Sequence, residues 1–326
     1  MTSEPISIGV LITYYGEREL LRDCLESIAS QARLPDEILI YDDASDAPAE
    51  DYVPVGLPVR LLRGAENRGP AFGRNRLLQE STSSYIHFHD ADDLFSPDWH
   101  ARVREVLESR DIDVVFTEID AHREGGPNSE RVLALSSLGV GDNDLVRFCI
   151  RGVMLVPSGT YRREAVQAIG GYRTSLWQSE DFDFHVRLAA SGPKYAVITD
   201  PLVIIRVRPG GRSRNQVQTW SGYVEAIANL ANELPRSYRS DLADAAGRAG
   251  STLFKLGARA EASAAFKLAG WLGPPRFSSQ RPLYRALVSS VGFERTEQLA
   301  QAYRNVLPAG LRAYIGGRRG VKAGLG

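Results

Sequence analysis

The chain has 326 residues, 43% of them hydrophobic, enough to bury the core of one large α/β domain or of a domain with a smaller appendage. Its 2 cysteines, Cys24 and Cys149, lie in apolar stretches, which excludes a disulfide-framed secreted scaffold and points to core thiols in an intracellular protein. The formal net charge of −1 hides an asymmetry: residues 1–200 carry 20 basic and 33 acidic groups against 19 and 7 in 201–326, and no basic module interleaved with aromatics speaks for nucleic acid.

No charged-then-apolar leader opens the chain, and no run approaches the roughly 18 apolar residues of a membrane span. Ile6 to Thr13 has strand length and apolar character; Tyr14-Tyr15-Gly16 then reads as a loop, and Leu20, Leu21, Cys24, Leu25 and Ile28 repeat on one helical face. Glu37 to Tyr41 is the next strand and ends in Asp42-Asp43-Ala44-Ser45. Val59 to Arg63 is another, followed by Asn67-Arg68-Gly69-Pro70 and a helix around Arg74 to Glu80. Strands alternating with helices imply a mostly parallel sheet covered on both faces, which binds ligands at the carboxyl ends of its strands.

The fourth strand, Tyr85 to His89, stops abruptly in Asp90-Ala91-Asp92-Asp93. Three carboxylates in four positions repel one another unless a cation relieves them, and hard oxygens suit Mg2+ or Mn2+ carrying a phosphorylated ligand. The plainer reading is that Asp92 and Asp93 only complement the helix behind them. Ser96-Pro97-Asp98 suits that helix start, with Ser as N-cap, and Trp99, Val103, Val106 and Leu107 follow at helical spacing.

Val114 to Asp120 is strand-like, and the polar, Gly-rich stretch Ala121 to Gly141 reads as a flexible excursion. Trp177-Gln178-Ser179-Glu180-Asp181-Phe182-Asp183 opens an amphipathic helix. An acidic pair beside an aromatic there is placed to take a proton from a bound hydroxyl, whereas Asp183 reads as complement to the helix terminus. The strand Leu202 to Val207 leads into Arg208-Pro209-Gly210-Gly211-Arg212-Ser213-Arg214. Such a loop can fold over a diphosphate or remain a solvated basic loop. Neither a Gly-x-Gly-x-x-Gly dinucleotide turn nor a Gly-x-x-x-x-Gly-Lys phosphate loop occurs.

In order, these pieces resemble glycosyltransferase family 2 over roughly residues 6–214: Ile8 to Tyr14, Ser27-Ile28 with Gln31, Glu37 to Ser45, Asn67-Arg68-Gly69 with Arg74-Asn75, Asp90-Ala91-Asp92-Asp93 with Pro97, Gly170-Gly171-Tyr172, and Glu180-Asp181. The resemblance implies a GT-A fold in 1–215, with a nucleotide-sugar half to about residue 120 and an acceptor half from about 121, and single-sugar inverting transfer to a hydroxyl in bacterial glycan synthesis. Thr13, Tyr15 and Asp42 or Asp43 would meet the nucleotide, together with Asn67 and Ala91. Arg74 would hold the diphosphate side, Asp90 the ribose, and Asp92 an Mn2+ or Mg2+ ion. Asp181 would be the base, Glu180 would orient the acceptor beside Trp177, and Arg208 and Arg212 would steady the leaving diphosphate. Family prevalence favours a UDP-sugar donor; the acceptor would be a glycan or a lipid-linked molecule.

Tyr15 departs from a common Asn, and Arg206-Val207-Arg208 stands where many members place a metal-binding His. Gln216-Val217-Gln218-Thr219-Trp220 lacks the Arg of the Gln-x-x-Arg-Trp motif of processive synthases. A sugar-phosphate nucleotidyltransferase would need a Gly-rich basic first loop, which Tyr14-Tyr15-Gly16-Glu17 is not; a non-catalytic glycan-binding scaffold is the remaining alternative.

From Gln216 to the end the chain reads as Ala-rich helices, 216–326, with Leu256-Gly257, Ala262, Ala265 and Phe266 resembling one tetratricopeptide-like hairpin. Its positive charge suits a cytoplasmic protein touching the inner membrane face, or simply neutralises the acidic domain.

Overall fold

The computed structural model describes residues 5–123, 130–133, 135, 138, 144–152, 154–208, 215–273 and 282–306. The chain divides into two compact units, Met1–Pro235 and Arg236–Gly326.

The first unit is built on one mixed sheet. Strand β1 (Ile8–Tyr14) lies between β2 (Glu37–Asp42) and β4 (Tyr85–Asp90), with β3 (Arg60–Arg63) outside β2, all four parallel. β1 is nearly all apolar and buried along its length, as a strand covered on both faces must be. Helix α1 (Glu19–Ala29) connects β1 to β2 and α2 (Pro70–Glu80) connects β3 to β4, while α3 (Trp99–Ser109) follows this group. In the register of this sheet Thr13 pairs with both Tyr41 and Asp90, and Tyr14 with Asp42, so the carboxyl ends of three strands finish side by side.

Beyond β4 the pairing is mixed, with one parallel contact, between the sixth and ninth strands, among antiparallel ones. The full order is β3-β2-β1-β4-β8-β6-β9-β5, where β5 is Leu94–Phe95, β6 Val114–Arg123, β8 Gly159–Arg162 and β9 Tyr195–Val207. A short strand β7 (Glu130–Leu133) pairs with β6.

Several expectations shift. Ala121 to Gly141 is not wholly an excursion: β6 runs on to Arg123 and β7 returns along it, tied by Arg131 to Asp120 and Glu118. β9 begins at Tyr195 rather than Leu202; Pro201 pairs with Glu118 between two register shifts, where the β9 side carries the extra residues that a regular ladder could not use. β8 is only four residues long, too short to show a period. The cap of α3 is Asp98, without a side-chain bond, while the Ser96 carbonyl accepts from Gln31 Nε2 (2.7 Å), joining α1 to α3.

The helices of the second half of this unit are α4 (Leu145–Arg151), α5 (Arg163–Ala168), α6 (Glu180–Ala190) and α7 (Gln216–Glu233). The boundary between units thus falls one helix later than the expected break at 215, because α7 packs on α6, with Phe182 and Tyr223 rings 4.2 Å apart. Cys24 and Cys149 are buried free thiols, as expected.

The second unit contains α8 (Arg239–Lys255), α9 (Arg259–Leu272), α10 (Pro282–Val291) and α11 (Phe293–Val306). α8 and α9 form a hairpin turned at Gly257, whose φ of +84° favours glycine. Small residues on α8 let its neighbours approach: a Cβ on Gly250 would lie 2.5 Å from Phe266, and one on Gly247 2.5 Å from Phe293. No described helix is long and apolar enough to cross a membrane.

Candidate active site

The parallel strands deliver Thr13, Asp42 and Asp90 to one rim. Thr13 is half-buried at the end of β1, and Tyr15 just beyond it is 56% exposed. Its backbone N–H donates to Glu17 Oε2 (2.5 Å) across the turn at Gly16. Burial and the nearby Asp92 and Asp90 charges push the Glu17 carboxyl pKa up.

Asp42 and Asp43 turn inward. Asp42 accepts from Ser45 N (2.8 Å), Ala49 N (3.1 Å) and Arg63 Nη1 (3.0 Å), so it shapes the loop after β2. Asp43 accepts from Arg68 N (2.9 Å) and Gly69 N (2.8 Å) at the start of α2. The Asn67 side chain also accepts from Gly69 N (3.3 Å). The half-exposed Trp177 ring lies over Gly69, where an added Cβ would be 3.0 Å from Trp177 Cζ3. Asp43, Asn67 and Trp177 therefore meet at one glycine.

Arg74 joins the two halves of the unit. It projects from α2 with a side chain only 3% exposed, donates Nη2 to Asp90 Oδ1 (2.7 Å) and Nη1 to Glu180 Oε1 (2.9 Å), and lies 5.1 Å from the Tyr172 ring centroid. Burial works against its charge, but Asp90, Tyr172 and Glu180 together hold its pKa above the ordinary value. The next residue, Asn75, clips the backbone of Tyr172, donating to its carbonyl (2.7 Å) and accepting from its N–H (2.8 Å). The separated motifs Arg74-Asn75, Gly170-Gly171-Tyr172 and Glu180-Asp181 are thus one physical unit. Gly171 has φ +66°, and a Cβ there would strike Asn75 Oδ1 at 2.4 Å.

After β4 the chain makes a tight turn, with Asp93 N donating to the Asp90 carbonyl (3.1 Å) and Ala91 buried beneath it. Asp93 is buried and accepts from Arg206 N (3.1 Å); burial, Asp92 and Asp90 push its pKa well up. Arg206 donates to the Asp92 carbonyl, Asp23 and the Leu20 carbonyl, so it braces the turn rather than the rim. The Asp92 carboxylate, 29% exposed, accepts from Arg208 Nη2 (2.8 Å). Arg212 lies outside the described residues.

α6 starts from Ser179, held in the left-handed region at φ 61° with its hydroxyl on the Thr219 carbonyl (3.1 Å). Such a conformation in a non-glycine residue costs energy and clusters at functional sites. Glu180 is buried against Arg74, which makes it a holder of that guanidinium. Asp181 is half-buried and accepts from Phe182 N (2.8 Å). Asp183 is fully buried between Arg173 (2.8 Å) and Arg187 (2.7 Å), more than complement to a helix end. His185 donates Nδ1 to the Asp181 carbonyl (2.7 Å) and accepts from the Tyr161 hydroxyl (2.8 Å); burial lowers its pKa to about 4. It is a core residue.

The sequence pattern described as "Glycosyl transferase family 2" matches residues 9–170, about half of the chain and the part that carries the rim. The chain belongs to glycosyltransferase family 2. An uncharacterized glycosyltransferase of Haemophilus influenzae is 27% identical over 221 residues, covering 65% of this chain and 80% of its own. Among solved structures, Staphylococcus aureus TarS 1-349 in complex with UDP-GlcNAc superposes with a TM-score of 0.69 at 17% identity, over 92% of each chain. The mannosyltransferase PcManGT of Pyrobaculum calidifontis, in complex with GDP-Man and Mn2+, superposes at 0.58 and 19% identity, over 93% of this chain and 85% of its own. The fold of this glycosyltransferase is accordingly GT-A, with a helical C-terminal region.

Whether a divalent ion suits this glycosyltransferase can be judged from its donor set. Among the described residues no group of three or more His, Cys, Asp or Glu side chains forms a cage. An accessible carboxylate beside other acids is nevertheless how Mg2+ or Mn2+ is held when water and substrate phosphates complete the shell. The partly exposed Asp92 carboxylate fits a single protein ligand to an ion of that kind.

Proposed function

We propose that this glycosyltransferase moves a single sugar from a nucleotide-sugar, a UDP-sugar by preference, to a hydroxyl of a glycan or lipid-linked acceptor in bacterial glycan synthesis, with inversion at the anomeric carbon. Buried free thiols fit a cytoplasmic setting. The observation that carries the reading is Arg74, which ties Asp90 at the end of β4 to Glu180 at the start of α6 (2.7 and 2.9 Å). That clamp supports a reading in which the next residue, Asp181, serves the same site as the acidic rim.

Thr13, Tyr15 and Asn67 line the side where a base and ribose would rest, with Asp42, Asp43 and Ala91 shaping its floor. Asp90 faces the ribose, held by Arg74. Asp92 would hold Mn2+ or Mg2+, whose charge would stabilise a departing diphosphate; PcManGT binds GDP-Man with Mn2+, and TarS binds UDP-GlcNAc. Arg208, and Arg212 from the same loop, add guanidinium donors for phosphate oxygens. Trp177 offers an aromatic face to the acceptor. Asp181 takes the proton of the acceptor hydroxyl as that oxygen forms its bond to the anomeric carbon in line; the bond to the diphosphate oxygen breaks on the opposite face, and the electron pair leaves with the nucleoside diphosphate.

A thermal-shift series with UDP, GDP and dTDP, each with and without Mn2+, tests donor binding; no stabilisation by any of them removes the reading. Asp181→Asn should reduce transfer by about a hundred- to ten-thousand-fold while nucleotide stabilisation stays. Loss of nucleotide binding in that variant would contradict the assignment of a base.

A further inference from the structure

The second unit carries a surface of its own chemical character. Residues 236–326 contain 15 Lys and Arg against 5 Asp and Glu. Folding sharpens this imbalance, because three of the five acids, Asp241, Asp244 and Glu297, are each only 2% exposed. The other two, Glu261 and Glu294, face solvent. None of the basic side chains described in this unit is buried: Arg236, Lys255, Arg259, Lys267, Arg285 and Arg295 are exposed, and Arg239 and Arg248 half-exposed. The surface field is therefore strongly cationic.

Apolar groups stand in that field. On α11 the inward face is Phe293, Thr296 and Glu297. Arg295, Leu299 and Tyr303, each four residues apart, share the outward face. Leu299 is 53% and Tyr303 43% exposed, and Trp271 at the end of α9 is 56% exposed with Arg239 4.9 Å from its ring. An aliphatic and an aromatic side chain following a basic one on a solvent-facing helix is the pattern of an element that lies in a lipid headgroup region, apolar groups inward and cations on phosphates.

We infer that the outward face of α11 docks this unit on an anionic phospholipid surface. A second copy meeting it through the same face would bring one cationic surface against another, which opposes symmetric self-association. Nucleic acid would be matched in charge, but Leu299 has no role against a phosphate backbone. The docking face belongs to the second unit alone, whichever sugar the first unit transfers.

The test uses the full chain and sedimentation with vesicles of phosphatidylcholine alone or mixed with phosphatidylglycerol. Binding should appear only with the anionic vesicles, weaken as salt is raised, and fall about tenfold or more in Leu299→Asp/Tyr303→Asp. Both positions are exposed, so thermal melting should be unchanged. Arg285→Gln/Arg295→Gln should weaken binding without adding negative charge. No sedimentation of the parent chain with anionic vesicles overturns the inference, as does parent-like binding by the double Asp variant. A parent dimer in sedimentation velocity that this variant dissociates, or retention on polyuridylate but not on vesicles, would overturn it in favour of another partner. Sugar transfer to a water-soluble acceptor should be unaltered in these variants, which separates failure of docking from failure of the catalytic reading.

Discussion

Arg74→Met is the most informative perturbation of the site, because it removes one cation from between two carboxylates of unequal burial. Glu180 is 2% exposed and would be left as a buried charge without its guanidinium; Asp90 is 35% exposed and can recover hydration. Breaking a buried pair by removing one partner costs about 3–5 kcal/mol, and nearly all of that should come from Glu180. For a unit of this size each kcal/mol corresponds to roughly 2–4 °C, so the melting temperature should fall by about 6–20 °C. Neutralising the stranded partner should restore part of the loss: in a double-mutant cycle with Glu180→Gln, the coupling should be about 1–3 kcal/mol. Arg74→Lys keeps the charge but cannot present two nitrogens in one plane to two acceptors, so it should fall between parent and Met. The assay is urea unfolding of the four proteins of the cycle. A cost below about 1 kcal/mol, the range of an exposed pair, or additive effects would refute the claim that Arg74 clamps the two halves.

Other consequences are as concrete. Gly69→Ala should destabilise by about 1–3 kcal/mol, because φ +80° is unfavourable for alanine and its Cβ would press on Trp177 at 3.0 Å; urea unfolding reads the cost, and a neutral result would mean the Trp177 contact is loose. Arg208→Gln should change stability by less than about 1 kcal/mol, since its bond to Asp92 is partly exposed. The same variant should weaken stabilisation by nucleoside diphosphate in thermal shift; unchanged stabilisation would remove Arg208 from the diphosphate site. Burial lowers His89, His100 and His185 to about 4, below the ordinary 6.5 that an unfolded chain approaches. The unfolded state then binds the extra protons, so the contribution of these histidines is full above pH 6.5 and is lost as pH drops from 6.5 toward 4, by up to about 1.4 kcal/mol per pH unit for each. His185→Gln should flatten the slope between pH 6.5 and 5; an unaltered slope would contradict a buried neutral imidazole.

Much of the catalytic unit was legible along the chain because its strands are short apolar runs bounded by turn residues, and because parallel crossovers force their carboxyl ends to one rim. Thr13, Asp42 and Asp90 could be grouped on that ground alone. β8 and β7 could not, since four residues carry no readable period, and the partners of β8 lie far away in sequence. The acidic pair before Phe182 was visible, but nothing local showed that Glu180 faces Arg74 while Asp183 faces Arg173 and Arg187.

The amino-acid sequence by itself determined the order of the first four strands, the acid-rich strand end, the helical character of the C-terminal third and its positive charge, since these depend on local periodicity and composition. Only the tertiary structure decided which acids remain accessible. Asp42 and Asp43 are consumed by backbone N–H groups, Asp93 by Arg206, and three acids of the second unit by burial. Burial and hydrogen bonding are properties of neighbours brought together from distant segments, and a linear pattern of charges cannot say which of them will be met by a partner and which left to face a ligand.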